Sequence, residues 1–157
     1  MKTKRITIAS IVAALFMSLC VFPTAANAAG KSCNTMHSYS TNVTPGYVWI
    51  NMPSYNAGGG TGDFRCYLAP GASNQGVAAL QAGINECYAA QLSKAGLKPL
   101  VKDGVYGAGT KKALAVVQQA IKNDTASSMV VDGLYGPTTA GAMRFKASDG
   151  QCRRVFA

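Results

Sequence analysis

Asp103-Gly104-Val105-Tyr106-Gly107-Ala108-Gly109-Thr110 and Asp132-Gly133-Leu134-Tyr135-Gly136-Pro137-Thr138-Thr139 are two copies of one pattern, the second starting 29 residues after the first. In each copy Asp-Gly marks a tight turn, and a second glycine, Gly107 or Gly136, is expected to take a positive φ. Pro137 suits the first position of a helix, where its missing N–H costs little. A turn used twice, with an aromatic and a threonine at fixed offsets, reads as a repeat unit in which each turn opens a helix.

Helical periodicity surrounds both turns. Val77, Leu80, Ile84 and Cys87 form one apolar stripe, predicting a helix from about Asn74 to Leu92 that ends at Gly96. A second helix is expected from Ala108 to Lys122, with Leu114, Val117 and Ile121 on its apolar face and Lys111, Lys112, Gln118 and Lys122 mostly elsewhere. A third should run from Pro137 to Lys146, burying Ala142, Met143 and Phe145. Three helices joined by two similar turns can bury one common core. The expected fold is mainly α, a small three-helix bundle with two D-G-x-Y-G turns, preceded by an extended, short-stranded arm.

The expected organisation has three parts. Residues 1–28 read as a secretory signal peptide: Lys2, Lys4 and Arg5, an apolar run from Ile6 to Phe22, then the small-x-small site Ala26-Asn27-Ala28. Residues 29–66 read as an extended Ser/Gly/aromatic arm with a turn cluster at Thr41–Gly46 and a flexible Gly58–Gly62 loop. Its aromatics Tyr39, Tyr47, Trp49 and Tyr55 suit either stacking on sugars or packing the arm onto the body. Residues 67–157 hold the helices and a basic tail, Cys152-Arg153-Arg154-Val155-Phe156.

Cleavage after Ala28 leaves Cys33, Cys66, Cys87 and Cys152, an even count that implies two disulfides in an exported chain and allows three pairings. The pairing preferred is Cys33–Cys66 with Cys87–Cys152, tying each flank to the centre. The remaining chain carries 12 basic and 6 acidic residues, a surplus suited to anionic polymers of an envelope. No dense Arg/Lys run interleaved with aromatics points to nucleic acid. With His37 as the sole histidine and no CxxC, the sequence calls for no metal and no cofactor.

The three ordered motifs resemble the peptidoglycan-binding-1-like domain, a three-helix module of bacterial and phage wall hydrolases. The first helix supplies Val77, Leu80, Gln81 and Ile84. The first turn supplies Asp103, Gly104, Tyr106, Gly107, Thr110, Ala113 and Leu114, followed by Val117-Gln118. The second supplies Asp132, Gly133, Tyr135, Gly136, Pro137, Thr139, Ala142 and Met143. The likeness covers about residues 68–148, and the cysteine layout looks like stand-alone secreted versions. It implies non-catalytic binding of peptidoglycan by a monomer, secreted or wall-associated, with Asp103, Tyr106, Thr110, Asp132, Tyr135 and Thr139 as ligand-binding candidates. Anionic wall polymers and a protein partner are further expected contacts.

Catalytic machinery is not expected. Zinc hydrolases need several His/Asp/Glu ligands, cysteine transpeptidases need a free thiol with a histidine, and muramidases need cleft carboxylates. The only glutamate is Glu86, and the aspartates sit mostly in turns. The alternatives to a wall-binding protein are an adaptor or regulator that docks a wall-active enzyme through the aromatic arm, and a cryptic wall hydrolase.

Overall fold

The run Tyr47-Val48-Trp49-Ile50 continues to Ser54 as one strand, because period-two burial puts Val48, Ile50 and Met52 inside and Tyr47, Trp49 and Asn51 outside. The computed structural model describes residues 30–125 and 128–155. In it this strand (β2, Tyr47–Ser54) pairs antiparallel with β1 (Thr35–Asn42) along its full length, from Thr35 opposite Ser54 to Asn42 opposite Tyr47. The Val43 N–H closes the turn onto the Gly46 carbonyl at 2.9 Å. The stretch expected as an arm is thus a hairpin, and Val48, Ile50 and Met52 join the same buried cluster as the helices. The signal-peptide reading of residues 1–28 lies outside the described residues.

After the hairpin, Asn74 caps helix α1 (Gln75–Cys87). Its Oδ1 accepts the Val77 N–H at 3.2 Å while its Nδ2 donates to the Cys33 carbonyl at 3.0 Å, so one side chain starts the helix and anchors the hairpin. The expected stripe Val77, Leu80 and Ile84 is fully buried. The helix does not run on to Leu92. It breaks at Tyr88 (φ −130°, ψ 22°), and a short α2 (Ala89–Lys94) follows, ending before Gly96 at φ +69°. Helix α3 (Ala108–Thr125) buries Ala113, Leu114, Val117 and Ile121, and also Gln118, which the periodicity assigned away from the apolar face.

The third expected helix is cut short. Helix α4 (Pro137–Ala142) ends where Met143 turns to extended backbone at φ −73°, ψ 146°. From there burial alternates: Met143, Phe145 and Ala147 point inward, Arg144 and Lys146 outward. Strand β3 (Phe145–Lys146) pairs with β4 (Cys152–Arg153), and Ala147 bridges to Ile50 of β2. Phe145 fills the space above Gly83 of α1, where a Cβ would collide with its ring. Toward the C-terminus a strand period therefore overrides the helical one. The described residues form an α/β fold of four short helices and two two-stranded antiparallel sheets, not a mainly α three-helix bundle.

Residues 67–74 act as a strap that unites the two turns. Leu68 exchanges both backbone hydrogen bonds with Tyr135 (2.9 and 3.0 Å), and Gly71 and Ala72 bond the backbone of Tyr106 (3.1 and 2.8 Å). Two disulfides, Cys33–Cys66 and Cys87–Cys152, lock the strap's start and the C-terminal hairpin, in the pairing preferred from sequence. They close loops of 33 and 65 residues, each restricting the unfolded chain by about 4 kcal/mol. Such bonds fit folding in an oxidising compartment. Among the described residues no helix is long and apolar enough to cross a membrane.

Candidate functional site

The twin turns are built from the inside by two buried glutamines. Gln81 of α1 gives its Nε2 hydrogens to Asp103 Oδ1 (2.8 Å), the Val105 carbonyl (3.1 Å) and Thr110 Oγ1 (3.3 Å), while its Oε1 accepts the Gly104 N–H (2.9 Å). Gln118 of α3 repeats the pattern on Asp132 Oδ1 (3.1 Å), the Leu134 carbonyl (2.9 Å) and Thr139 Oγ1 (3.2 Å), and accepts from Gly133 (2.7 Å). Each aspartate also accepts the N–H two residues on, Val105 at 2.9 Å and Leu134 at 2.8 Å. The hydrogen bond from Gln81, followed by that from the Val105 N–H, holds the Asp103 carboxyl below its ordinary range.

The positive φ falls on the first glycine of each copy, not on the second where the sequence placed it. Gly104 (+73°) and Gly133 (+68°) take the left-handed conformation, whereas Gly136 is extended at φ −144°. A Cβ on Gly133 would also fall on the Lys111 carbonyl, so both shape and conformation demand glycine there.

These contacts fix where the six candidate ligand residues stand. Tyr106, Tyr135, Thr110 and Thr139 are buried, while Asp103 and Asp132 lie on the exposed rims of their turns. The Tyr106 hydroxyl donates to the Gly133 carbonyl across the two turns, and the Tyr135 hydroxyl is fully buried with no partner among the described residues. Burial pushes both phenols well above their ordinary range. The fold brings the six together around two structural joints and leaves no aromatic face of either turn in solvent.

The aromatics that do face solvent lie on the hairpin. Tyr47 is 71% exposed and Trp49 57% exposed, on the same side of β2. Their cross-strand neighbours Asn42 and Ser40 are exposed too, followed by the Ser38–Asn51 pair, whose side chains hydrogen-bond each other. The strand is held at both edges: β1 lies on one side, and on the other Ser148 takes up both the N–H (3.1 Å) and the carbonyl (2.9 Å) of Trp49. The row from Asn42 to Met36 spans about 20 Å at the rise of a strand. Of the other two aromatics singled out in sequence, Tyr39 is half-buried, edge-on to Phe64 with its hydroxyl on Ser54 Oγ at 2.7 Å. Tyr55 is half-buried beneath Lys31.

A cleft opens at each end of this row. At the Asn42 end a cleft of about 310 Å³ is lined by Thr41, Asn42, Arg144, Cys152, Arg153 and Arg154. At the Met36–Asn51 end a smaller one, about 180 Å³, lies against Ala82 and Glu86 of α1 and Lys146. The sequence marked Arg153 and Arg154 only as a basic tail and passed over Arg144. The signal was the alternation Met143-Arg-Phe-Lys-Ala147, which places Arg144 directly before strand β3, on its outward side.

Four of the six carboxylates are occupied elsewhere. Asp63 caps the Arg65 N–H (2.9 Å), Asp149 accepts from Gln151 N (3.0 Å) and pairs with Arg153 (2.7 Å), and Asp103 and Asp132 hold the twin turns. Among the described residues no three His, Cys, Asp or Glu side chains gather as a metal site. No family model matches this chain, nor does a curated protein or a solved structure.

Proposed function

We propose that this chain is a secreted, non-catalytic protein that binds peptidoglycan, and that the glycan lies along the Tyr47–Trp49 face of the hairpin. The observation that carries the reading is the pair of exposed rings in register with Ser40 and Asn42 on a strand clamped at both edges. Aromatic faces stack on the apolar faces of sugars, and flanking amides and hydroxyls match sugar hydroxyls. A rigid platform also lowers the ordering cost of binding. The resemblance of the Asp-Gly-x-Tyr-Gly turns to a wall-binding module supports the same ligand. With Tyr106 and Tyr135 buried, the contact role shifts from the turns to the hairpin. Two disulfides and the N-terminal leader pattern support export, and the basic surplus favours an anionic envelope.

Sedimentation with purified peptidoglycan tests the reading. The oxidised protein is expected to pellet with the walls and a reduced, unfolded control to stay in solution. Trp49→Ala and Tyr47→Ala should each weaken binding about tenfold, the scale of an anchoring aromatic. Asp103→Asn, on a turn rim, should leave binding unchanged. Retained affinity in a folded Trp49→Ala, Tyr47→Ala double variant would remove the hairpin face from the account. Clearing of a wall suspension by the protein would overturn the non-catalytic reading.

A further inference from the structure

Arg144 and Arg154 stand one residue outward from the Phe145–Arg153 pair of the C-terminal ladder, opposite one another in register, and both line the same cleft. Like charges placed opposite each other destabilise a strand pair. The third cation of the cleft, Arg153, is neutralised by Asp149 through its Nη2 (2.7 Å) and Nε (2.8 Å). Neither Arg144 nor Arg154 forms an ion pair among the described residues. Both bear on the Tyr88 hydroxyl, which accepts the Arg144 backbone N–H at 2.8 Å. Asp124 reaches that hydroxyl electrostatically but pairs with neither guanidinium. The Arg154 Nε is buried and meets no acceptor among the described residues. A buried donor without an acceptor is costly, more so on a charged group. The cleft of about 310 Å³ between these side chains and the end of the hairpin is also lined by Asn42, whose partner in register is Tyr47.

We propose that this cleft binds an oxyanion, a carboxylate or phosphate carried by the polymer that lies on the Tyr47–Trp49 face. Guanidinium is the side chain suited to such groups, because its planar fork meets two oxygens at once. An anion between Arg144 and Arg154 relieves their repulsion, gives the Arg154 Nε an acceptor once that side chain turns toward the cleft, and leaves Asn42 to bridge toward the aromatic row. The position next to the glycan face rests on the wall-binding reading; the anion site itself does not.

The test uses the exported, disulfide-bonded chain and two probes, inorganic phosphate and N-acetyl-D-alanyl-D-alanine, followed by the Arg Nε–Hε signals in NMR. At least one probe is expected to move the Arg154 signal saturably. Arg144→Gln with Arg154→Gln should weaken that probe's binding, followed through backbone signals around the cleft, by about tenfold or more, the scale of losing charged hydrogen bonds. Arg154→Lys, which keeps charge but not the fork, should fall between. No saturable shift with either probe, or equal titration of wild type and a double variant whose native spectrum is retained, would overturn the proposal. Should the double variant fail to fold, Arg154→Lys decides by the same criterion. Trp49→Ala should leave probe binding intact while reducing sedimentation with walls, so loss of the glycan reading and loss of the anion site are told apart. Walls stripped of phosphate polymers then name the source. A defect of the double variant that persists on stripped walls assigns the peptide-stem carboxylate, and one that vanishes assigns the polymer phosphate.

Discussion

Tyr106 and Tyr135 occupy the same place in the two repeats, yet only the first has somewhere to put its hydroxyl. Tyr106 reaches the Gly133 carbonyl of the following repeat turn, whereas no third repeat turn follows Tyr135, whose hydroxyl is buried without a partner among the described residues. The repeats thus supply their own control. Tyr106→Phe removes a buried hydrogen bond and strands the Gly133 carbonyl, and should cost about 1–3 kcal/mol in urea unfolding. Tyr135→Phe deletes an unsatisfied group and should be neutral or stabilising by up to about 1 kcal/mol. Equal losses in the two variants would show that packing alone, not hydrogen bonding, sets the role of these rings. The turns themselves were legible, because Asp-Gly with a following aromatic has few other readings. Their glutamine partners were not. Gln118 borders an apolar stripe, where a polar residue reads as solvent-facing, and only the folded turn reveals five groups waiting for one amide.

At the level of elements, the helical stripes of α1 and α3 could be read because each carries three apolar residues at a regular helical spacing. The strands could not be read equally. β2 announced itself by aromatic and β-branched residues, but β1 (Thr35–Asn42) is mostly small and polar, with little apolar alternation to see. The C-terminal error arose where two periods competed. Ala142, Met143 and Phe145 fit a helix, while Met143, Phe145 and Ala147 fit a strand, and the room above Gly83 decides for the strand by seating the Phe145 ring. That contact makes a second prediction. Phe145→Ala should cost about 3–5 kcal/mol by opening a cavity, and Gly83→Ala about 1–3 kcal/mol by overpacking. Combining Gly83→Ala with Phe145→Leu should recover part of the loss, a coupling of at least about 0.5 kcal/mol in a double-mutant cycle. Strict additivity would mean that the two positions do not compete for the same space.

Across the whole molecule, aspartates fasten separate segments by the same device. Asp63 accepts the Arg65 N–H beside the hairpin, Asp103 holds the first repeat turn, and Asp149 ties the C-terminal hairpin through Arg153. For Asp63 the main cause of a lowered pKa is the Arg65 N–H, for Asp103 the Gln81 side chain, and for Asp149 the Arg153 side chain. Because the folded state depresses these values, the unfolded chain takes up protons first as pH falls. The stabilisation is therefore fully present above the ordinary carboxylate value of 3.8 and is lost as pH drops through the lower folded values. Asp103 and Asp149 are exposed and Asp63 is half-buried, so each effect is small and the prediction concerns their sum. The melting temperature is expected to hold steady near about pH 6 and to decline by about pH 3, with both disulfides intact throughout. Asp103→Asn can keep its acceptor oxygen on Gln81 and Val105 without titrating, so its decline over the same interval should be shallower. An unchanged decline in that variant would move the acid sensitivity away from the repeat turn and onto the Asp63 and Asp149 contacts that frame it.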